Sequence, residues 1–144
     1  MKGSDLGALA GVVLEGFAEG EKSPVRIEGP SVRLSPNATI SFTMALHELA
    51  TNAIKYGALA NPHGRVDLAW RLERTPDGTR LDVVWEERDG PPVVAPARRG
   101  FGWRILEDGL AYELGGTAEL DYPPTGLVYR LSLPVDGTLI DGER

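Results

Sequence analysis

The chain has 144 residues, of which 42% are hydrophobic, enough for the core of one domain and too many for a disordered chain. Its 15 basic and 21 acidic residues give a formal net charge of −6, which argues against a broad nucleic-acid or anionic-membrane surface. With no cysteine, two histidines, no long apolar stretch and no convincing signal peptide, the sequence excludes disulfides and a His-rich metal site, and predicts a cytoplasmic protein without a membrane segment.

The first half of the chain predicts two helices with short strands between them. Residues 5–19 form the first helix. Its apolar stripe contains Leu6, Leu9, Val12, Val13, Leu14 and Phe17. Two short strands flank a Gly29-Pro30 turn. Residues 36–59 form the longest helix, with Ser35 as its N-cap and Pro36 in its first turn.

The second half predicts strands that each bury one face. A turn at residues 61–64 precedes strands at 65–73 and 81–87, which a hairpin turn at 75–78 joins, and a further strand covers 126–134. The residues expected to face the core are Val66, Leu68, Trp70, Leu72, Leu81, Val83, Trp85, Leu127, Tyr129, Leu131 and Leu133.

The remaining elements complete a single domain. A third helix covers residues 102–114 and ends at Gly115-Gly116, a strand covers 117–122, and the tail from Asp136 to Arg144 is expected to fray. The core then extends over roughly residues 5–135. This order predicts an α+β fold, a two-layer sandwich with three helices on one face of a mixed, mostly antiparallel sheet.

The long helix separates polar from apolar side chains by angle, since an α-helix advances about 100° per residue. One polar side carries Glu48, Asn52, Lys55 and Tyr56. The predicted core side carries Phe42, Leu46, Leu49, Ala50, Ala53 and Ile54. A carboxylate and an amide one turn apart can share a hydrated Mg²⁺, which keeps waters and phosphates among its ligands. A solvated face with a Glu-to-Lys pair explains the same pattern.

His47 points about 100° away from Glu48 on the same helix, towards the boundary of the core beside Ile54. That direction favours a histidine that packs or donates a hydrogen bond over a catalytic one. Through a ring nitrogen it would orient a neighbouring helix or loop.

A loop rich in glycine and proline connects the strand at 81–87 to the third helix. Gly100-x-Gly102 opens that helix, where glycine allows close approach to phosphate and the N-terminus favours anions, although G-x-G is common in loops. By period two, Trp85 and Glu87 share the inner face of their strand. A buried carboxylate costs stability unless it finds donors, and the exocyclic amine of a base would be a suitable donor.

Four segments, "HELATNAIKYGALA", "WEERDGPP", "RRGFG" and "GLVYRLSLP", together resemble the ATP-binding domain of sensor histidine kinases in the GHKL superfamily. The resemblance is closest to the HWE subfamily, named for a histidine in its N-box and a W-x-E in its G1 box. It implies binding of Mg·ATP and donation of the γ-phosphoryl group to a histidine on a separate dimerisation and phosphotransfer domain, which in turn serves a response regulator.

The same resemblance implies a role for each matching residue. Asn52 would be a Mg²⁺ ligand, and Glu48 would hold Mg²⁺-bound water or act as a polarising base. Lys55 would reach a phosphate, and Tyr56 would pack near the adenine. The adenine amine would go to Glu87 or to Asp89, which replaces the first of two glycines in the common HWE form, and the strand period favours Glu87.

Further nucleotide contacts are expected from Gly90, Arg98, Arg99, Gly100, Phe101 and Gly102. Residues 91–101 would form a short ATP lid, and the three glycines would frame the nucleotide. Arg98 and Arg99 would neutralise phosphate charge, although a solvated pair explains them equally well. His47 and Trp85 would support the residues that touch the ligand.

Neither His47 in the N-box nor His63 in a turn resembles the phosphoacceptor histidine. The chain is therefore expected to be a piece of a longer kinase or a stand-alone ATP-binding module, and to be unable to autophosphorylate by itself. Two alternatives share the fold: a non-catalytic interaction module, kept open by Asp89 and the short lid, and a protein-serine kinase of the anti-sigma type. The Glu48/Asn52 pair argues against the first, and the W-x-E and N-box histidine argue against the second.

Overall fold

A computed structural model describes residues 4–15, 24–60, 63–90, 106, 109–121, 123, 126–136 and 139. In these ranges the chain runs through β1 (Ser4–Asp5), α1 (Leu6–Glu15), β2 (Val25–Glu28), β3 (Arg33–Leu34), α2 (Pro36–Tyr56), a 3₁₀ turn (Ala58–Ala60), β4 (Arg65–Thr75), β5 (Gly78–Arg88), α3 (Leu110–Leu114), β6 (Thr117–Asp121) and β7 (Val128–Pro134).

The main sheet has five strands in the order β2-β4-β5-β7-β6. β4 and β5 form the predicted hairpin, in which Thr75 pairs with Gly78 and Arg65 with Arg88. β2 runs parallel to β4, and the other neighbours are antiparallel. A parallel pair needs a long crossover, which α2 supplies. β3 follows the Gly29-Pro30 turn but leaves this sheet and pairs with β1.

Apolar and polar side chains alternate along β4, β5 and β7, and the apolar face of the sheet is the one that meets the helices. Inward side chains of these strands form one buried cluster with side chains of α1, α2 and α3. Phe42, Trp85 and Tyr129 are among the largest fully buried members. Burying a side chain of this kind contributes about 1.5–3 kcal/mol, so the helices stay on that face. The predicted two-layer α+β sandwich, with a mixed and mostly antiparallel sheet, is confirmed.

Three side chains assigned to apolar faces are exposed instead. Val12, Ile54 and Leu72 are 72%, 42% and 45% exposed. Val12, Val13 and Leu14 are consecutive, and three consecutive helical residues cannot share one face at about 100° per residue. Ile54 lies beyond the buried arc of α2, and Leu72 lies near the free end of the β4–β5 hairpin.

Several element ends differ from the prediction. β4 extends to Thr75 and β5 begins at Gly78, so both strands reach into the segment expected to form the hairpin turn. α2 ends at Tyr56 rather than residue 59, and Gly57 leads into the 3₁₀ turn. α3 is described from Leu110 onward and ends as predicted at Gly115, whose φ is 74°. The tail expected to fray contributes Leu139, which is fully buried. The predictions also covered residues 16–19, 61–62, 91–105, 107–108, 122, 137–138 and 140–144, which lie outside the described residues.

Candidate functional site

The helix that carries the first motif is fixed at its start by the predicted cap. Ser35 Oγ accepts a hydrogen bond from the Ala38 N–H at 3.1 Å, and Pro36 occupies the first turn. The Ser35 N–H donates in turn to the carbonyl of Leu139 at 2.8 Å. A cap of this type contributes about 1 kcal/mol. The cap fixes where α2 begins, and this sets the direction in which each later side chain of the helix points.

Glu48 and Asn52 lie half-buried, one turn apart on α2. They border the buried arc of the helix, represented by Ala45 and Leu49. One carboxylate and one amide oxygen at the rim of a packed helix fit a hydrated Mg²⁺, which takes few protein oxygens and keeps water and phosphate ligands.

The last turn of α2 presents the other two residues of the polar side. Lys55 is exposed, and Tyr56 is 72% exposed. Tyr56 directly precedes Gly57, whose N–H donates to the Ala53 carbonyl at 3.0 Å and closes the helix. A flexible ammonium and an aromatic ring at this end are available to a ligand.

His47 is exposed, whereas its helical angle had predicted a position at the boundary of the core. The apolar residues one turn before it and two turns after it, Met44 and Ile54, are exposed as well, at 47% and 42%. α2 is continuous through this region, so His47 and Glu48 still point in directions about 100° apart. The role of His47 stays a prediction.

Glu87 is a buried carboxylate near the end of β5, with 2% of its surface exposed. Its Oε2 accepts a hydrogen bond from the Trp85 indole Nε1–H at 2.9 Å, so the two residues of the W-x-E motif contact each other as well as sharing a face. Its Oε1 accepts from the backbone N–H of Ala58 at 3.0 Å, across 29 positions of sequence. The carboxylate therefore joins β5 to the 3₁₀ turn that follows α2.

Burial raises the pKa of Glu87 above its ordinary range, and the hydrogen bonds from Trp85 and Ala58 oppose that shift. Among the residues that the structure describes, the partners of this carboxylate are two neutral donors and not a cation. Hydrogen bonds to a charged group contribute about 1.5–3 kcal/mol each, so the pair offsets much of the cost of burying the charge.

Glycines surround the Glu87–Ala58 hydrogen bond. A Cβ on Gly57 would overlap Glu87 Oε1, and a Cβ on Gly126 would overlap the Glu87 carbonyl. A Cβ on Gly90 would lie 2.5 Å from Ala58 Cα. The ends of α2 and β5 thus approach each other more closely than residues with side chains allow.

Asp89 has a φ of 59°, the one non-glycine residue with positive φ within the described ranges. Its side chain is exposed. Asp tolerates the left-handed region better than most residues, which explains how it can occupy a position where the HWE pattern has glycine. Two residues after Glu87, the chain therefore turns sharply and carries a second carboxylate to the surface.

The G2-box residues that the sequence placed around the nucleotide are Arg98, Arg99, Gly100, Phe101 and Gly102. They lie outside the described residues, as does the whole of the predicted lid at 91–101. Of the predicted site, the described residues show two parts, the N-box and the G1 segment. The hydrogen bond between Ala58 and Glu87 joins the ends of these two parts.

Sequence reasoning missed the backbone N–H of Ala58 as a partner of Glu87. A backbone donor carries no side-chain signature, and the two groups are 29 residues apart. A weak signal exists in the sequence, because Gly57 follows the long helix directly and Gly90 follows the W-x-E strand closely.

The opposite face of the sheet has a different character. A shallow concavity of about 640 Å³ is lined there by side chains such as Asp82, Glu119 and Arg130. Exposed ion pairs cross this face, including Arg130 with Asp121 at 2.8 Å. Such pairs contribute little free energy, and Glu87 points to the other side of the sheet.

Two relatives identify the family. The chain is 31% identical over 140 residues to the blue-light-activated histidine kinase of Brucella ovis, an alignment that covers 97% of this chain and 29% of that protein. It is 39% identical over 111 residues to the blue-light-activated histidine kinase of Brucella anthropi, covering 77% of this chain and 23% of that protein. The chain belongs to the family of histidine kinase ATPase domains. This ATPase domain thus spans less than a third of the length of these relatives, and no family model matches it.

Solved structures show the same fold. The ATPase domain matches the histidine kinase domain of the Erythrobacter litoralis EL346 blue-light activated histidine kinase with a TM-score of 0.66 at 20% identity, over 96% of this chain and 64% of that one. It matches the catalytic domain of histidine kinase ThkA with a TM-score of 0.61 at 16% identity, over 93% and 97% of the two chains. In the described part of the domain, no helix is long and apolar enough to cross a membrane.

Proposed function

We propose that this ATPase domain binds Mg·ATP and donates the γ-phosphoryl group to a histidine on a separate dimerisation and phosphotransfer domain, as a cytoplasmic kinase of the HWE type. A response regulator is its indirect partner in two-component signalling. The similarity to the Brucella kinases, which extends over 97% of this chain in the first of them, supports the assignment.

One observation carries the proposal. The hydrogen bond from the Ala58 N–H to Glu87 joins the 3₁₀ turn that follows α2 to the end of β5. The polar residues of the N-box and the Asp89-Gly90 turn therefore belong to one edge of the molecule. A nucleotide at this edge would meet an amide, an amine and carboxylates, the groups suited to a metal, phosphates and an adenine amine.

Roles follow from chemistry and position. Asn52 and, through water, Glu48 hold Mg²⁺, which when bound neutralises charge on the phosphates. Lys55 reaches a phosphate, and the exposed ring of Tyr56 packs near the adenine. The adenine amine is accepted by one of the two carboxylates at the end of β5, Glu87 or Asp89.

The residues of the G2 box complete the proposed site. Gly90, Gly100 and Gly102 frame the nucleotide beside Phe101, and Arg98 and Arg99 neutralise phosphate charge. His47 and Trp85 support these contacts without touching the ligand.

The reaction transfers one phosphoryl group. A nitrogen of the acceptor imidazole forms a bond to the γ-phosphorus, the bond from that phosphorus to the β–γ bridging oxygen breaks, and ADP leaves. Glu48 accepts the proton that the imidazole releases. Catalysis rests mainly on positioning and on stabilisation of charge.

Isothermal titration with ATP tests the binding step. We expect Mg²⁺-dependent binding that weakens about tenfold or more in Asn52→Ala, because an oxygen ligand is lost. Asn37→Ala is the matched control, since Asn37 is an exposed asparagine in the first turn of the same helix, and it should bind like the wild type. His47→Ala should also keep its Mg²⁺ dependence. Absence of binding by the wild type, or equal affinity in Asn52→Ala, would rule the proposal out.

Incubation with labelled ATP tests the transfer step. The isolated domain should acquire no stable phosphate on His47 or His63. With a histidine phosphotransfer domain added, the label should appear on that domain and be lost in acid, as phosphohistidine is. Acid-stable phosphoserine on the partner would instead support the anti-sigma-type alternative.

A further inference from the structure

Trp85 directs its indole N–H at one of the two carboxylates that the proposed function offers to the base. Resting on that function, we propose that Trp85 is a positioning residue that determines base specificity. Its N–H keeps Glu87 an acceptor, which takes the 6-amine of adenine and rejects the 6-carbonyl of an oxopurine. Glu87 contacts the base, and Trp85 acts on the base through Glu87.

The strand places Trp85 for this role. Trp85 and Glu87 lie two positions apart on the inner face of β5, and both are buried. The indole Nε1–H donates to Glu87 Oε2 at 2.9 Å. An indole N–H is a donor only, and its hydrogen bond is stronger to an ionised oxygen than to a neutral one. The contact therefore favours the carboxylate over the protonated acid.

The other oxygen of Glu87 is held in the same way. Oε1 accepts from the backbone N–H of Ala58 at 3.0 Å, and this N–H is also a donor only. Each carboxylate oxygen has two lone pairs, so Glu87 can accept a third bond, from a base amine, while it keeps the first two. The ionised group has no O–H to offer. A carbonyl oxygen in the place of the amine would face another acceptor, and the two would repel each other.

Burial opposes the ionised state, which is why the donor from Trp85 is important. Burial is the largest influence on the pKa of Glu87 and raises it, and the hydrogen bond from Trp85 is the larger of the two effects that lower it. Removal of the indole N–H leaves the effect of burial less opposed, so the carboxyl group takes up a proton more readily. A protonated Glu87 can donate to a carbonyl, and the oxopurine is then no longer rejected.

In the described part of the domain, no cation holds Glu87 ionised instead. Its partners there are the N–H groups of Ala58 and Trp85. The neighbouring Arg88 bonds to Glu86 at 3.1 Å on the outer face of the sheet. A salt bridge at Glu87 would fix its charge whatever residue stood at position 85. With two neutral donors, the loss of one changes the balance between the two protonation states.

Titrations with two nucleotides test the inference. ATP is compared with inosine triphosphate, whose base has a 6-carbonyl in place of the 6-amine, for the wild type, Trp85→Phe, Glu87→Gln and the control Trp70→Phe. Trp70 is a buried tryptophan of β4 whose Nε1–H donates to the Pro30 carbonyl at 2.8 Å, so both phenylalanine variants lose one indole hydrogen bond. Circular dichroism gives the folded fraction, to which each affinity is referred.

The ratio of the two affinities is a readout that a merely structural role would not change. We expect the wild type to prefer ATP, and Trp85→Phe to reduce that preference about tenfold or more. Trp70→Phe should keep the wild-type ratio, because any loosening of the fold weakens both nucleotides alike. Glu87→Gln should also lose the preference, since its amide has an N–H that can donate to the carbonyl.

Different results overturn the inference and the proposed function. A wild-type ratio in Trp85→Phe, or an equal fall of the ratio in Trp70→Phe, would show that the indole N–H does not determine specificity. A preference for ATP that persists in Glu87→Gln would place the amine on another acceptor, and the inference would be wrong while the proposed function stood. Failure of the wild type to bind ATP would reject the proposed function, and the inference with it.

A measurement on the wild type decides the question if Trp85→Phe does not fold. The indole N–H of Trp85 is followed by hydrogen exchange in a ¹⁵N-labelled sample, with and without Mg·ATP. We expect slow exchange that ATP slows further or leaves unchanged, because the bond to Glu87 persists in the complex. Faster exchange in the complex would mean that ATP displaces the indole N–H from Glu87, which contradicts the positioning role.

Discussion

Two carboxylates each hold separate segments of this domain together, one near solvent and one buried. Asp5 caps α1 by accepting from the Ala8 N–H at 3.2 Å, and it binds the segment before β3 through Ser31 Oγ at 2.8 Å and the Val32 N–H at 3.1 Å. Glu87 accepts two bonds, from Ala58 and Trp85, in a site closed to solvent.

Their environments shift the two acids in opposite directions. The Ser31 hydroxyl and nearby backbone N–H groups hold the pKa of Asp5 below its ordinary value, against a weaker effect of burial. Burial raises the pKa of Glu87 despite its two donors. At Asp5 the donors outweigh desolvation and the pKa falls, whereas at Glu87 desolvation outweighs the donors and the pKa rises. The same kind of contact therefore joins segments in two environments that shift the pKa of the acid in opposite directions.

Replacement of Glu87 should give the largest effect. Glu87→Leu leaves the Ala58 N–H and the Trp85 Nε1–H buried without an acceptor, and we expect a loss of about 3 kcal/mol in the free energy of unfolding. Glu86→Leu on the outer face, which removes an exposed ion pair with Arg88, should cost under about 0.5 kcal/mol. Urea denaturation measures both. Equal losses would show that the buried contacts add nothing.

Two glycine substitutions compare the packing around Glu87 with the packing around α1. Gly57→Ala brings a methyl group into Glu87 Oε1, and we expect a loss of about 2 kcal/mol. Gly11→Ala in α1, where an added Cβ has no atom within 4 Å, should gain about 0.7 kcal/mol because alanine favours the helix. Thermal unfolding gives both values. A stabilised Gly57→Ala would contradict the close approach at this joint.

Removal of the cap at Asp5 should cost less than removal of Glu87. Asp5→Ala deletes the N-cap of α1 and the acceptor for Ser31, for an expected loss of about 1.5 kcal/mol. Because the partners of Asp5 lie in α1 and in the segment before β3, and not at the end of α2 or β5, the nucleotide affinity should stay that of the wild type. Denaturation and ATP titration of the same variant provide the two readings. A large fall in ATP affinity would mean that the two regions are coupled.

Acid should affect the two contacts in opposite ways. The stability from Asp5 is present above its ordinary pKa and is lost as pH falls through its lowered value. The linkage term from Glu87 is fully present below its ordinary pKa and is lost as pH rises through its raised value. From pH 7 towards pH 4, the wild type should therefore gain stability relative to Glu87→Gln. Towards still lower pH it should lose its advantage over Asp5→Asn. Parallel curves for all three proteins would contradict both assignments.

Local signals predicted most of the fold. Alternation of apolar residues gave the inner faces of β5 and β7, because side chains in a strand point to opposite sides in turn. Ser35 and Gly115 were predicted as helix ends and are confirmed at 3.1 Å to Ala38 and at a φ of 74°. Each of these features depends on residues within four positions of one another, so sequence alone contains it.

The candidate site was predicted in part. Helical angles placed Glu48 and Asn52 together on the polar side of α2, and both are half-buried in the structure. The same angles assigned Ile54 to the core and His47 to its boundary, and both are exposed. Angles give a direction from the helix axis, but they do not say where the neighbouring layer ends.

Sequence by itself determined the inner faces of the sheet, the caps and the composition of the motifs, because these follow from periodicity and hydrogen bonds between near neighbours. Only the tertiary structure decided that β2 pairs with β4, that Leu139 enters the core, and that Glu87 bonds to Ala58. Each of these contacts joins residues far apart in the chain. The distant donor that reaches a buried carboxylate depends on how the helix layer is positioned on the sheet. That position is fixed only when the whole core packs.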